Sequence, residues 1–141
     1  MKMDRTSLQS AYYSKQQEIR LCQNQSRTLE EQLQFVSSKK TELSAIKDDL
    51  QTNKTDALLV DHQIHMMEWR GENYGKFHDE YVVDLVRNKY ANLLDEVDRN
   101  LDALVTEERR LENELLENEG LLGRLRQGLN WISSELEKAF N

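Results

Sequence analysis

The chain has 141 residues, no proline, five glycines, and 32% charged against 7% aromatic side chains. That mixture excludes a β-rich fold or a flexible linker and predicts long helices in a single domain. A net charge of −7 is repelled by phosphate backbones and anionic lipid, which sets nucleic acid and membrane surfaces aside as partners.

The charge is uneven. Residues 1–70 carry ten Lys/Arg and ten Asp/Glu, whereas residues 71–141 carry nine and sixteen, so the second half holds the whole excess of −7. Cys22 is the one cysteine, which allows no intrachain disulfide and fits a reducing compartment. No apolar run follows the first charges and no stretch approaches the ~18 apolar residues of a membrane span. The expected location is therefore the cytoplasm, with export only in company with a partner.

The first arm is predicted over about 4–50. Its a positions are Tyr12, Ile19, Ser26, Leu33, Lys40 and Lys47, and its d positions Leu8, Lys15, Cys22, Leu29, Val36, Leu43 and Leu50. Asp4, with Thr6 and Ser7 beside it, supplies N-cap chemistry. Lys15, Ser26, Lys40 and Lys47 sit on the seam, so this helix depends on tertiary packing.

A connecting segment is expected over about 51–71. The polar run Gln51–Thr55 predicts a break near 51–56, followed by a short helix capped by Asp56 and containing Leu58, Leu59, Ile64 and Met67. Trp69-Arg70-Gly71 then predicts a corner, since Gly71 tolerates the positive φ that other residues resist. The second arm is expected over about 72–139, with acidic Glu72 at its N-terminal dipole.

The second arm carries the clearer pattern. With Tyr90 at d, the a positions are Leu94, Leu101, Glu108, Leu115, Leu122, Leu129 and Leu136. The d positions continue through Val97, Leu104, Leu111, Asn118, Leu125, Ile132 and Ala139. Such an unbroken 3-4 spacing predicts a left-handed packing seam. Val86, Leu93 and Leu121 fall at g, and Val105 and Phe140 at e, which widens the stripe beyond one neighbour and suits a bundle. The expected partner-binding face is Val86, Leu93, Val105, Leu121, Leu125, Leu129, Ile132 and Leu136. Glu108 and Asn118 interrupt the seam, where matched polar residues set register and partner, with Lys40 and Lys47 as the available opposite charges. Gly120, Gly123 and Gly128 imply a kink, a close crossing or fraying.

The predicted fold is all-α: an elongated antiparallel helical hairpin, coiled-coil-like, turning at W-x-G and completing a helical bundle with a partner. Trp69-x-Gly71, then Tyr74 and Phe77, then Tyr81, Val86 and Tyr90, resembles the corner and second helix of the WXG-type small helical proteins of type VII secretion. The layout is closest to the longer YwqH-like relatives that accompany LXG toxins, and the resemblance covers most of the chain. It implies a targeting adaptor, or chaperone, that binds the helical N-terminal region of an LXG toxin, with or without a second small helical protein. It also implies a turn motif of Trp69, Gly71, Tyr74 and Phe77. The simpler reading of the same corner is structural, with Trp69 and Phe77 capping the end of the bundle core and Gly71 making the turn, and it is compatible with an adaptor whose arms bind. The chain departs from the family in lacking the Y-x-x-x-D/E export tail: the residues four beyond Tyr81 and Tyr90 are Leu85 and Leu94.

Chemistry finds little support. His62-x-x-His65 with Glu68, and His78-Asp79 beyond the corner, form the one metal-like cluster, and a solvated helix face explains it better. Cys22 at d reads as a small buried side chain. No phosphate-binding or nucleophile-elbow motif is present. The expectation is a non-enzyme without catalytic, metal or cofactor-binding residues. Beside the adaptor stands a second reading, a homo-oligomeric coiled-coil scaffold.

Overall fold

A computed structural model of the chain describes residues 4–66 and 72–140, and for residues 61, 63–66, 72 and 73 the backbone alone. The described residues are almost wholly helical and hold no strand. Helix α1 spans Arg5–Met66 and α2 spans Glu72–Phe77; a π-helix follows over His78–Tyr90, and α3 spans Ala91–Phe140. The Trp69-Arg70-Gly71 corner lies outside the described residues.

Helix α1 begins as its sequence directs. The Asp4 carboxylate accepts the Ser7 backbone N–H at 2.7 Å, and the Asp4 carbonyl accepts that of Leu8 at 3.0 Å. The first bond satisfies one of the orphaned donors of the first turn, and the second is the first regular bond of the helix.

The break expected near 51–56 is absent, because α1 runs through it to Met66. The heptad phase explains why. Lys54 and Ala57 take the next a and d positions and are half-buried, while Gln51, Thr52, Asn53, Thr55 and Asp56 face solvent. Thr55 also donates its hydroxyl to the Gln51 carbonyl at 3.0 Å, which keeps its polar group occupied within the helix. The glycines of α3 produce no break either, since that helix is continuous from Ala91 to Phe140.

The chain divides into two compact units: Met1–Phe35 with Glu108–Asn141, and Val36–Glu107. In the first unit, α1 and α3 run antiparallel. The Arg5 guanidinium lies 3.7 Å over the Phe140 ring, the Lys15 stem passes Gly128, and Cys22 meets Asn118. Buried residues here are all at d: Leu8, Cys22 and Leu29 from α1, and Leu111, Leu125 and Ile132 from α3. The a positions are half-buried, so the d layer forms the core and the a layer its margin.

The second unit is built differently. Its buried residues are Val36, Val82, Val86 and Val97. Continuing the α3 heptads backwards would place Arg87 and Glu80 at a and Lys76 at d. The π winding avoids that burial. Its wider turn keeps Val82, Val86, Tyr90 and Leu94, each four residues apart, on the inner side and leaves Lys76, Glu80 and Arg87 exposed. The path stays helical at both junctions, with Phe77 at φ −59°, ψ −47° and Ala91 at φ −61°, ψ −43°.

Candidate partner-binding surface

The seam of the first unit contains a polar cluster whose members border its grooves. Asn118 donates through its side-chain nitrogen to the Cys22 carbonyl at 2.8 Å and to the Ser26 hydroxyl at 2.7 Å. The Cys22 thiol in turn lies 3.3 Å from both the carbonyl and the side-chain oxygen of Asn118, and its single proton serves either. Cys22 is therefore buried, as a d residue should be, and also hydrogen-bonded. The pairing of Ser26 with Asn118 went unread in the sequence, although both were visible as polar interruptions of facing seams.

Grooves open on either flank of this cluster. One, of about 440 Å³, is bordered by Ser26, Arg27, Glu30, Glu119, Leu122 and Arg126. The other, of about 330 Å³, is bordered by Gln25, Leu29, Glu114, Asn118, Leu121 and Arg124. Both have charged rims; Leu122 and Gly123 are the non-polar part of the first and Leu29 with Leu121 that of the second, the ordinary anatomy of a helix-packing groove rather than of a substrate pocket.

In the second unit, Lys47 at a reaches Asp98 at 2.6 Å. Its hydrogen bond with Asp98, together with the charge of that carboxylate, raises the lysine pKa above 10.5. A seam lysine thus finds an acidic partner here in Asp98, a residue at e.

The structure corrects part of the expected partner-binding face. Val86 is fully buried, and Leu125 and Ile132 are buried as well, so these three serve the chain's own packing. Extending the α3 heptads places Val86 at g, and the π winding turns it inward. Val105, Leu129 and Leu136 are half-buried. Leu93 and Leu121 alone of the eight are exposed, at 46% and 42%.

Of the turn residues, Trp69 and Gly71 lie outside the described residues. Tyr74 and Phe77 are half-buried on α2, their ring centroids 6.4 Å apart. Phe77 stacks on Tyr81 at 5.0 Å with the ring planes 15° apart, and Tyr74 lies 6.1 Å from His78. These rings pack along one helical path and enclose no site.

Among the described residues, no group of three or more His, Cys, Asp or Glu is placed to hold a metal ion. His62 is exposed, and His78 has Asp79 as a neighbour at 3.9 Å; the side chains of His65 and Glu68 lie outside the described residues. No described helix is long and apolar enough to cross a membrane. Comparison with protein-family models, curated proteins and solved structures finds no match.

Proposed function

We propose that the chain is a non-enzymatic helical adaptor, folded back at Trp69-Arg70-Gly71 into an antiparallel hairpin that packs against the helices of a partner protein. The observation that carries this reading is apolar surface left over beside a filled seam. Leu121 in one unit and Leu93 in the other stand exposed at the same heptad position, g, in a strongly charged chain. Covering them is worth about 25 cal/mol per Å² of apolar area removed from water. The groove beside Leu121, floored by Leu29, accepts an apolar side chain from an approaching helix.

The resemblance to WXG-type proteins supplies the partner class: the helical N-terminal region of an LXG-type toxin, bound alone or together with a second small helical protein. The adaptor then works in the cytoplasm of a bacterium with a type VII secretion system. Export, in this reading, takes place in complex with that partner. The polar seam cluster suits such a role, since matched polar residues select one pairing over its slipped alternatives.

Co-expression with the product of a neighbouring LXG gene, followed by size-exclusion chromatography, tests the proposal. Co-elution as one complex is expected. Separate elution of two well-folded proteins would overturn it.

A further inference from the structure

The first unit leaves one side of its seam unfinished. Its core is the d layer, whereas its a residues stay half-buried, among them Ile19 and Leu33 on α1 and Leu115, Leu122 and Leu129 on α3. On a helix surface, e lies one turn beyond a, and b one turn beyond e. The a residues therefore form an apolar margin that opens towards the flank of e and b positions, where Leu122 lies in the larger groove.

That flank carries Arg20, Arg27 and Glu30 on α1, and Glu119, Glu112 and Arg109 on α3. All six are exposed, and none has an ion-pair partner among the described residues. The reciprocal bonds between Cys22 and Asn118 set those two residues level across the seam. Counted from them, Arg20 lies within one residue, about 1.5 Å, of the level of Glu119. Arg27 is matched with Glu112 in the same way, and Glu30 with Arg109. Each charge thus stands level with its opposite on the other helix, yet none of the three pairs forms within the chain.

We infer that the e flank of the first unit is a homodimer interface whose occupant is the e flank of a second copy. A two-fold axis parallel to the helices sets α1 of each copy against α3 of the other and keeps every residue at its level. The three charge pairs then form between copies, each of them twice, and such isologous pairing closes as a dimer. The remaining facing pairs, from Thr6–Ser133 to Gln23–Leu116, each include an uncharged residue, so like charges meet nowhere along the flank. Among them Tyr13, 69% exposed, falls opposite Arg126, a cation–π pairing.

In the resulting four-helix bundle every helix runs antiparallel to its neighbours, and the a layers of both copies face inward. Burial of that layer drives the association, while the charges fix its orientation. The inference goes beyond the adaptor reading, which uses Leu121 and Leu93 on the g flank, so either can fail alone.

Light scattering on the purified full chain, with no other protein present, provides the test. The expected mass is twice 16.7 kDa at micromolar concentration. Arg20→Glu/Arg27→Glu and Glu112→Arg/Glu119→Arg each set like charges opposite one another, and each should weaken the dimer by roughly tenfold or more. Mixed in equal amounts, the two variants should pair as a heterodimer, because each glutamate then faces an arginine. Chains that had merely lost their fold would not recover on mixing. A monomeric wild-type chain, a dimer that neither variant weakens, or a mixture that gains no dimer overturns the inference.

Discussion

Asn118 donates to Ser26 across the first unit at 2.7 Å, so the two polar interruptions of facing seams satisfy each other. The same amide group takes in the Cys22 backbone carbonyl and thiol. Sliding one arm by a heptad would set Asn118 against Lys15 or Leu29 and forfeit these bonds. The cluster thus penalises wrong pairings more than it strengthens the right one.

Substitution at Asn118 should separate those two effects. Asn118→Ala removes the amide donor from the Ser26 hydroxyl and the Cys22 carbonyl, while the Cys22 thiol keeps the Asn118 backbone carbonyl, and is expected to cost about 1–3 kcal/mol in thermal or urea unfolding. Asn118→Leu restores an apolar d position, and its melting temperature should match or exceed that of the parent. Its light-scattering profile, however, should broaden into several assembly states. A single species identical to the parent's would show that Asn118 does not select the register.

The π-helix makes an opposite pair of forecasts for neighbouring residues. Val86→Ala empties a fully buried site and should cost about 2 kcal/mol, whereas Leu93→Ala at an exposed site should stay within about 0.5 kcal/mol. Arg87→Leu discriminates more sharply. In an unbroken heptad Arg87 would be a seam residue, and leucine there would stabilise the fold. With the π winding Arg87 faces solvent, so the substitution should leave urea unfolding unchanged.

Two titrations add small pH-dependent contributions to stability. Asp4 is held below its ordinary 3.8 chiefly by the Ser7 backbone hydrogen bond, with the Ser7 hydroxyl adding to it. Its contribution is therefore full above pH 3.8 and lost as pH falls through the lowered folded value. Lys47 is raised above 10.5 by Asp98, so its contribution is full below pH 10.5 and lost as pH climbs through the folded value. Asp4→Asn keeps a capping oxygen but no longer titrates, and the acid-side slope of its unfolding midpoint should fall slightly, the alkaline side staying unchanged. Lys47→Met should flatten the alkaline side only. Asp4 is exposed and Lys47 half-buried, and the effects should shrink in high salt, most of all at Asp4.

Much of the fold was legible because hydrophobic spacing repeats over many turns. Apart from exposed Ala139, the a and d positions read from Leu8 to Leu50 and from Tyr90 to Leu136 are buried or half-buried in the structure. Local composition misled at Gln51–Asp56, where a polar run looked like a break although Lys54 and Ala57 kept the phase. The heptad template misled at Val86, where apolar residues four apart called for a wider helical turn. Leu125 and Ile132 were assigned to a partner, yet a d residue faces the nearest available helix, and that helix is α1. The Asn118–Ser26 match needed both arms to be aligned, which no single-arm pattern provides.

The adaptor claim is tested most directly by titrating the purified chain with the isolated helical N-terminal region of a neighbouring LXG toxin in a calorimeter at several temperatures. Saturable binding with a negative heat-capacity change is expected, because apolar surface is covered. The double substitution Leu93→Asp/Leu121→Asp, which adds charge to exposed positions while sparing the seam, should abolish that binding and leave the helical content intact. No heat from the wild-type chain, or undiminished binding by the double variant, would contradict the account.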